Sequence, residues 1–119
     1  SAMPLFKKDK RSKQVTSLNK KQVNHLKKIA HHEKPIFQMG KEGLGQSFLD
    51  QVDQALTKRE LIKFKVLQNS EEEIREVTAE IAYALDAQVV QVIGHTGVLY
   101  RPSHIAKYQK LSTDLKKIK

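Results

Sequence analysis

Apolar and polar positions alternate along this chain with two clear periods. Val23, Leu26, Ile29 and Ala30 share one side of a helical wheel, while Lys20, Lys21, Asn24, Lys27, Lys28 and His31 share the other. The pattern predicts a first helix over roughly Leu18 to His32, capped by Ser17 and ended by Pro35. Pro35 to Met39 reads as a short strand, and 40–45 as a glycine-rich loop. Gln46 to Arg59 carries Phe48, Leu49, Val52, Ala55 and Leu56 at helical spacing.

The period then changes to two. Over Glu60 to Leu67, Ile62, Phe64 and Val66 alternate with Lys63 and Lys65, which predicts a strand with one covered face. Asn69-Ser70 reads as a turn, with Ser70 capping a third helix and Glu73 at its capping-box position. Ile74, Val77, Ile81 and Leu85 form that helix's apolar stripe, and glutamates crowd its first turns, where the helix dipole favours them. Gln88 to Ile93 and Val98 to Arg101 read as two strands of a hairpin, with Gly94-His95-Thr96-Gly97 as its turn. Beyond Pro102, Ile105, Tyr108, Leu111, Leu115 and Ile118 fall near helical spacing, though the lysine content fits a loose tail equally. The expected fold is a single α/β domain of order α-β-α-β-α-β-β, built on one four-stranded sheet. The division expected along the chain is 1–16, 17–102 and 103–119: a flexible basic arm, a compact domain and a basic tail. Ser1-Ala2 ahead of Met3 reads as an expression scar.

Charge adds a direction to this picture. The chain has 119 residues, a formal net charge of +9 and no cysteine. Residues 1–34 carry +8, residues 35–104 carry −3 and residues 105–119 carry +4. A mildly acidic centre with two positive ends favours a polyanionic partner. Without cysteine there is no disulfide, thiolate metal site or thiol nucleophile. No apolar run reaches the ~20 residues of a membrane span, and a cytoplasmic monomer is expected.

Candidate chemistry is sparse. His31-His32-Glu33 contains ligand-type residues, but adjacent helical positions do not face one another, so no metal site is expected. His95 stands between two glycines with no nucleophile or carboxylate beside it in sequence; a hydrolase using it is the weakest reading. The chain is expected to be no enzyme and to need no cofactor.

Binding features are denser. Gly40-Lys41-Glu42-Gly43 precedes a helix, where glycines permit close backbone approach and the helix start favours phosphate. A second tetrad, Gly94-His95-Thr96-Gly97, mimics the G-x-x-G of KH domains, but its flanks are strands where that motif joins helices. The candidate RNA-contacting residues are Lys20, Lys21, Lys27, Lys28, His31 and Lys34 of the first helix and its exit, then Gly40, Lys41, Glu42 and Gly43. Lys63 and Lys65 of the strand, and Gly94, His95, Thr96 and Arg101 of the hairpin, complete the set. Phe6, Tyr100 and Tyr108 are the aromatics considered for base stacking. A competing reading is a protein-interaction module, with the basic ends docked on an acidic partner and the tail from Ile105 packed on a partner's helix.

Leu18-Asn19-Lys20-Lys21-Gln22, His25-Leu26-Lys27 and the run from Lys34-Pro35 to Gly43-Leu44 resemble the YhbY family of CRM-domain proteins. So do Glu60 to Lys65 and Val90 to Pro102. The resemblance implies a four-stranded mixed sheet similar to the C-terminal domain of translation initiation factor three. It also implies RNA binding, in bacteria to rRNA of large-subunit precursors during ribosome assembly. The family's G-x-x-G loop falls on Gly40 to Gly43, with Glu42 where a polar or basic residue is usual. Gly97 stands where an apolar residue is commoner, which implies a looser hairpin.

Overall fold

The computed structural model describes residues 18–40, 45–67 and 70–118. Helix α1 spans Lys20–His31. Its cap is Asn19, inside the stretch expected to be helical: the Asn19 side chain accepts from the Gln22 amide at 2.8 Å, and Gln22 Oε1 accepts the Asn19 amide at 2.9 Å. This capping box sets the helix start two residues later than the apolar pattern alone suggested. Ser17, the expected cap, lies outside the described residues, as do the basic arm, Asn69 and residues 41–44.

Strand β1 is Phe37–Met39, α2 is Gln46–Arg59 and β2 is Leu61–Val66. Helix α3, Glu71–Leu85, starts with the expected Ser70–Glu73 capping box. Strands β3, Gln88–Ile93, and β4, Thr96–Tyr100, complete a sheet of order β1-β2-β4-β3. β1 runs parallel to β2 and the other pairings are antiparallel, so the sheet is mixed.

The alternation of β2 divides the core. Ile62, Phe64 and Val66, with Leu99 of β4, pack against Leu49, Val52 and Leu56 of α2 and Ile74 and Ile81 of α3. The opposite face holds Val98, Tyr100 and Val90 under Leu26 and Ala30 of α1 and Leu115 of the last helix. Packing both faces of the sheet is what lets so short a chain bury an aliphatic core.

Two corrections concern the hairpin and the tail. The turn is only Gly94-His95, because Ile93 and Thr96 already pair. Gly94 has φ +58°, the left-handed value that the first position of a type II′ turn requires. Thr96 and Gly97 belong to β4, and Gly97 is no slack point. A Cβ built there would lie 2.6 Å from Phe64 Cζ and 2.7 Å from Thr78 Oγ1. Glycine is therefore the residue that lets α3 and the Phe64 ring close on the sheet.

Beyond Pro102 the chain forms a short 3-10 helix, Ala106–Tyr108, and then helix α4, Leu111–Lys116. Leu111, Leu115 and Ile118 pack into the α1-side core. These three positions of the apolar stripe, which the competing reading assigned to a partner's helix, are used inside the domain, while Ile105 stays exposed. The residue that anchors the tail is Glu60, which the sequence pattern placed at a strand start. It is fully buried and closes α2 in the left-handed region, φ +68°. Its Oε1 accepts the Ser112 amide at 2.9 Å, and its Oε2 accepts the Ser103 amide and the Ser112 hydroxyl, each at 2.7 Å. Burial, and then the charge of Glu60, push the neighbouring Tyr100 phenol well above its ordinary pKa, so it stays neutral.

Candidate nucleic-acid interface

The cationic face of α1 follows directly from its packing. Burying Leu26 and Ala30 turns Lys20, Lys21, Asn24, Lys28 and His31 outward, all exposed, with Lys27 at the margin and Lys34 exposed at the exit. From Lys20 to His31 the row is about 16 Å long at the helical rise. Among the described residues none of these lysines makes an ion pair. The other side of the sheet has the reverse sign, for α3 exposes Glu72, Glu76 and Glu80. A polyanion approaching the domain meets attraction on the α1 side and repulsion on the α3 side.

Lys63 and Lys65 share the α1 face of β2, yet they do different things. Lys63 Nζ donates to the carbonyls of Ala30 at 2.9 Å and Glu33 at 3.0 Å. It neutralises the negative end of α1 and pins that helix to the sheet, so its charge is used within the domain. Lys65 lies one pleat farther along and is exposed. Through the register Gln38↔Lys65, Lys65↔Thr96 and Thr96↔Ile93, a row of side chains on this face crosses all four strands. Gln38, Lys65 and Ile93 are exposed in it, Ile93 to 58%.

The same register brings the starts of the two glycine tetrads together. Leu67, at the end of β2, donates to Met39 O beside Gly40, while Val66 donates to the carbonyl of His95 in the turn. Gly40, Lys65, Gly94 and His95 thus occupy one end of the sheet, although more than fifty residues separate the two glycines. Lys41, Glu42 and Gly43 lie outside the described residues.

Arg101, one of the expected contacts, is engaged within the domain. Its Nη1 meets Asp53 Oδ1 at 2.7 Å and donates to Leu85 O at 2.9 Å. Its Nη2 donates to Asp53 O and Thr57 Oγ1. The guanidinium ties the ends of β4 and α3 to α2, so all this directed capacity points inward. Arg101→Ala is expected to lower stability by about 2 kcal/mol in chemical denaturation while leaving RNA affinity at native temperature unchanged. Tyr100, considered for stacking, is buried, and Tyr108 is partly covered with Lys107 Nζ 5.2 Å from its ring centre. His31 and His32 rings meet edge-on at 5.4 Å. Among the described residues no group of three His, Asp or Glu is placed to hold a metal, and no helix is long and apolar enough to cross a membrane.

Comparison with known proteins matches this geometry to a family. The family model described as the CRS1 / YhbY (CRM) domain matches residues 18–101. The Bacillus subtilis protein YqeI, named a probable RNA-binding protein, is 45% identical over 86 residues, covering 72% of this chain and 90% of its own. A Haemophilus influenzae protein named RNA-binding protein is 41% identical over 95 residues, covering 80% of this chain and 96% of its own. The solution structure of SAV1595 from Staphylococcus aureus, called hypothetical and, provisionally, RNA-binding, has 40% identity and a TM-score of 0.67. The match covers 75% of this chain and 93% of that one.

Proposed function

This chain belongs to the CRS1/YhbY (CRM) domain family, and from that premise we propose that it is a non-catalytic RNA-binding protein whose target is rRNA in precursors of the large ribosomal subunit. The observation that carries the RNA reading is the row of lysines on α1, solvent-facing and without an ion pair among the described residues, set on the opposite side of the sheet from the acidic α3. Relatives named as RNA-binding support it. The large-subunit target is supported by the family resemblance set out above. Lysines act as mobile point charges and do not read base edges in pairs, so phosphate position and RNA shape dominate recognition. The Gly40–Gly43 loop, with Lys41, is the proposed second grip on the backbone, and Lys65, Gly94, His95 and Thr96 extend the contact across the sheet end. Lys63 and Arg101 support the fold beneath it.

Salt dependence tests the grip. Affinity for a structured rRNA fragment should fall linearly on a log–log plot, by roughly 0.7–0.9 per phosphate contacted. Lys20→Ala/Lys27→Ala/Lys28→Ala/Lys41→Ala should lower affinity about 10- to 100-fold near 0.1 M salt and flatten that slope by about three. An unchanged affinity refutes the reading. Crosslinking in cells followed by sequencing tests the target: recovery of messenger or transfer RNA in place of large-subunit precursor would overturn it.

A further inference from the structure

We propose that the groove between β1 and α2 is a subsite for an unpaired nucleotide of the bound RNA. The inference rests on the RNA-binding reading above and deepens it. The groove is open and has a volume of about 490 Å³, within the size range of small-molecule sites. Its apolar lining comes from Ile36, Phe37 and Ala55. Ile36 is 37% exposed, one of few large apolar side chains left uncovered. Phe37 is held in place from behind, edge-on to Phe48 at 5.8 Å, and Phe48 in turn is edge-on to the buried Phe64 at 6.4 Å. A ring so braced offers a preformed apolar surface to a planar base.

The rim supplies the other half of a nucleotide's chemistry. Gln51 and Gln54 also line the groove, and each amide carries donors and an acceptor that suit a base edge. Lys58 and Arg59 also line it, exposed, and among the described residues neither side chain makes an ion pair or hydrogen bond. Lys34 adds a third cation, since it shares a small adjoining crevice with Ile36 and Arg59. β1 is also an edge strand, so its outer peptide groups have no partner in the sheet.

Topology links this groove to the phosphate grip. The glycine-rich segment 40–45 joins β1 to α2, the two elements that form the groove's walls. The groove's lining lies toward the start of β1 and the later turns of α2, so a strand held at that segment reaches it by running along the β1–α2 cleft. A fully paired helix cannot lower a base into it, so the subsite selects RNA with unpaired nucleotides beside a duplex.

The test compares two RNAs of equal charge with the full chain: a short duplex carrying a three-nucleotide overhang, and the same duplex with abasic overhang residues. The wild type should prefer the base-bearing RNA about five- to tenfold, consistent with stacking of one base. Amide resonances of Ile36, Phe37, Gln51 and Gln54 should shift with that RNA alone. Ile36→Asn/Gln54→Ala, both at exposed or rim positions, should bring the ratio close to one with its circular dichroism spectrum unchanged. Tight binding of both RNAs at a ratio near one overturns the subsite while leaving the RNA-binding reading intact. No binding to either RNA overturns that reading and the subsite with it.

Discussion

Glu60→Ala should cost the protein about 3–5 kcal/mol of stability, the largest expected loss for a side chain that touches no candidate RNA contact. Three donors converge on this carboxylate, two of them main-chain amides that cannot turn away. Truncation leaves the Ser103 and Ser112 amides buried without an acceptor, at about 1–3 kcal/mol each. Backbone strain gives the experiment an internal control. Glu60 has φ +68°, which glycine adopts freely and alanine does not. Glu60→Gly should therefore be less damaging than Glu60→Ala by about 1 kcal/mol, yet well below wild type. Chemical denaturation measures the totals. Hydrogen exchange locates the cause, with protection at Ser103 and Ser112 expected to fall first. If Glu60→Gly equals or exceeds wild-type stability, the residue is merely a strained helix end and the latch does not exist.

Gly97 makes the second large prediction. Gly97→Ala should destabilise the domain by about 2–3 kcal/mol, the upper part of the range for overpacked cores. The reason is that neither neighbour has room to yield. Phe64 is fully buried, and Thr78 Oγ1 is tied to Ile74 O at 2.7 Å. Gly97→Ala/Thr78→Ala should recover part of the loss, since it removes one of the two obstacles, and the double-mutant cycle measures how much. Gly94→Ala is a useful contrast: there the space is open and only the positive φ is unfavourable, so a cost nearer 1 kcal/mol is expected. Alanine at 97 with wild-type stability would show that α3 does not depend on this close approach.

Helix α2 and the alternation of β2 were legible in the sequence because each is governed by local periodicity and burial together. Gln46 to Arg59 is helical as expected, and Ile62, Phe64 and Val66 face the core as expected. Family membership was legible too, from motifs that agree in order and spacing. What stayed hidden depends on partners distant in sequence. Arg101 and Lys63 are cations like any others until Asp53, Leu85 and the end of α1 are placed around them. Glu60 resembles a solvated strand start until Ser103 and Ser112 return to it. Gly97 was read by its freedom, whereas the fold uses its lack of bulk. Lys58 and Arg59 are last-turn cations of α2, and only the tertiary structure shows that they line the groove beside Phe37.

The tail's attachment also orders events in time. Glu60 meets Ser112 across 52 residues, and Gln22 Nε2 donates to Leu115 O across 93. Contacts of such span form late, because loop closure must precede any gain from them. The α2–α3 side of the sheet needs only residues through β4, so it can consolidate while α1 still lacks its final support. The lysine-bearing helix is therefore expected to gain its final support last, once Leu115 has docked. The acidic side of the domain can thus form before the surface aimed at RNA is complete.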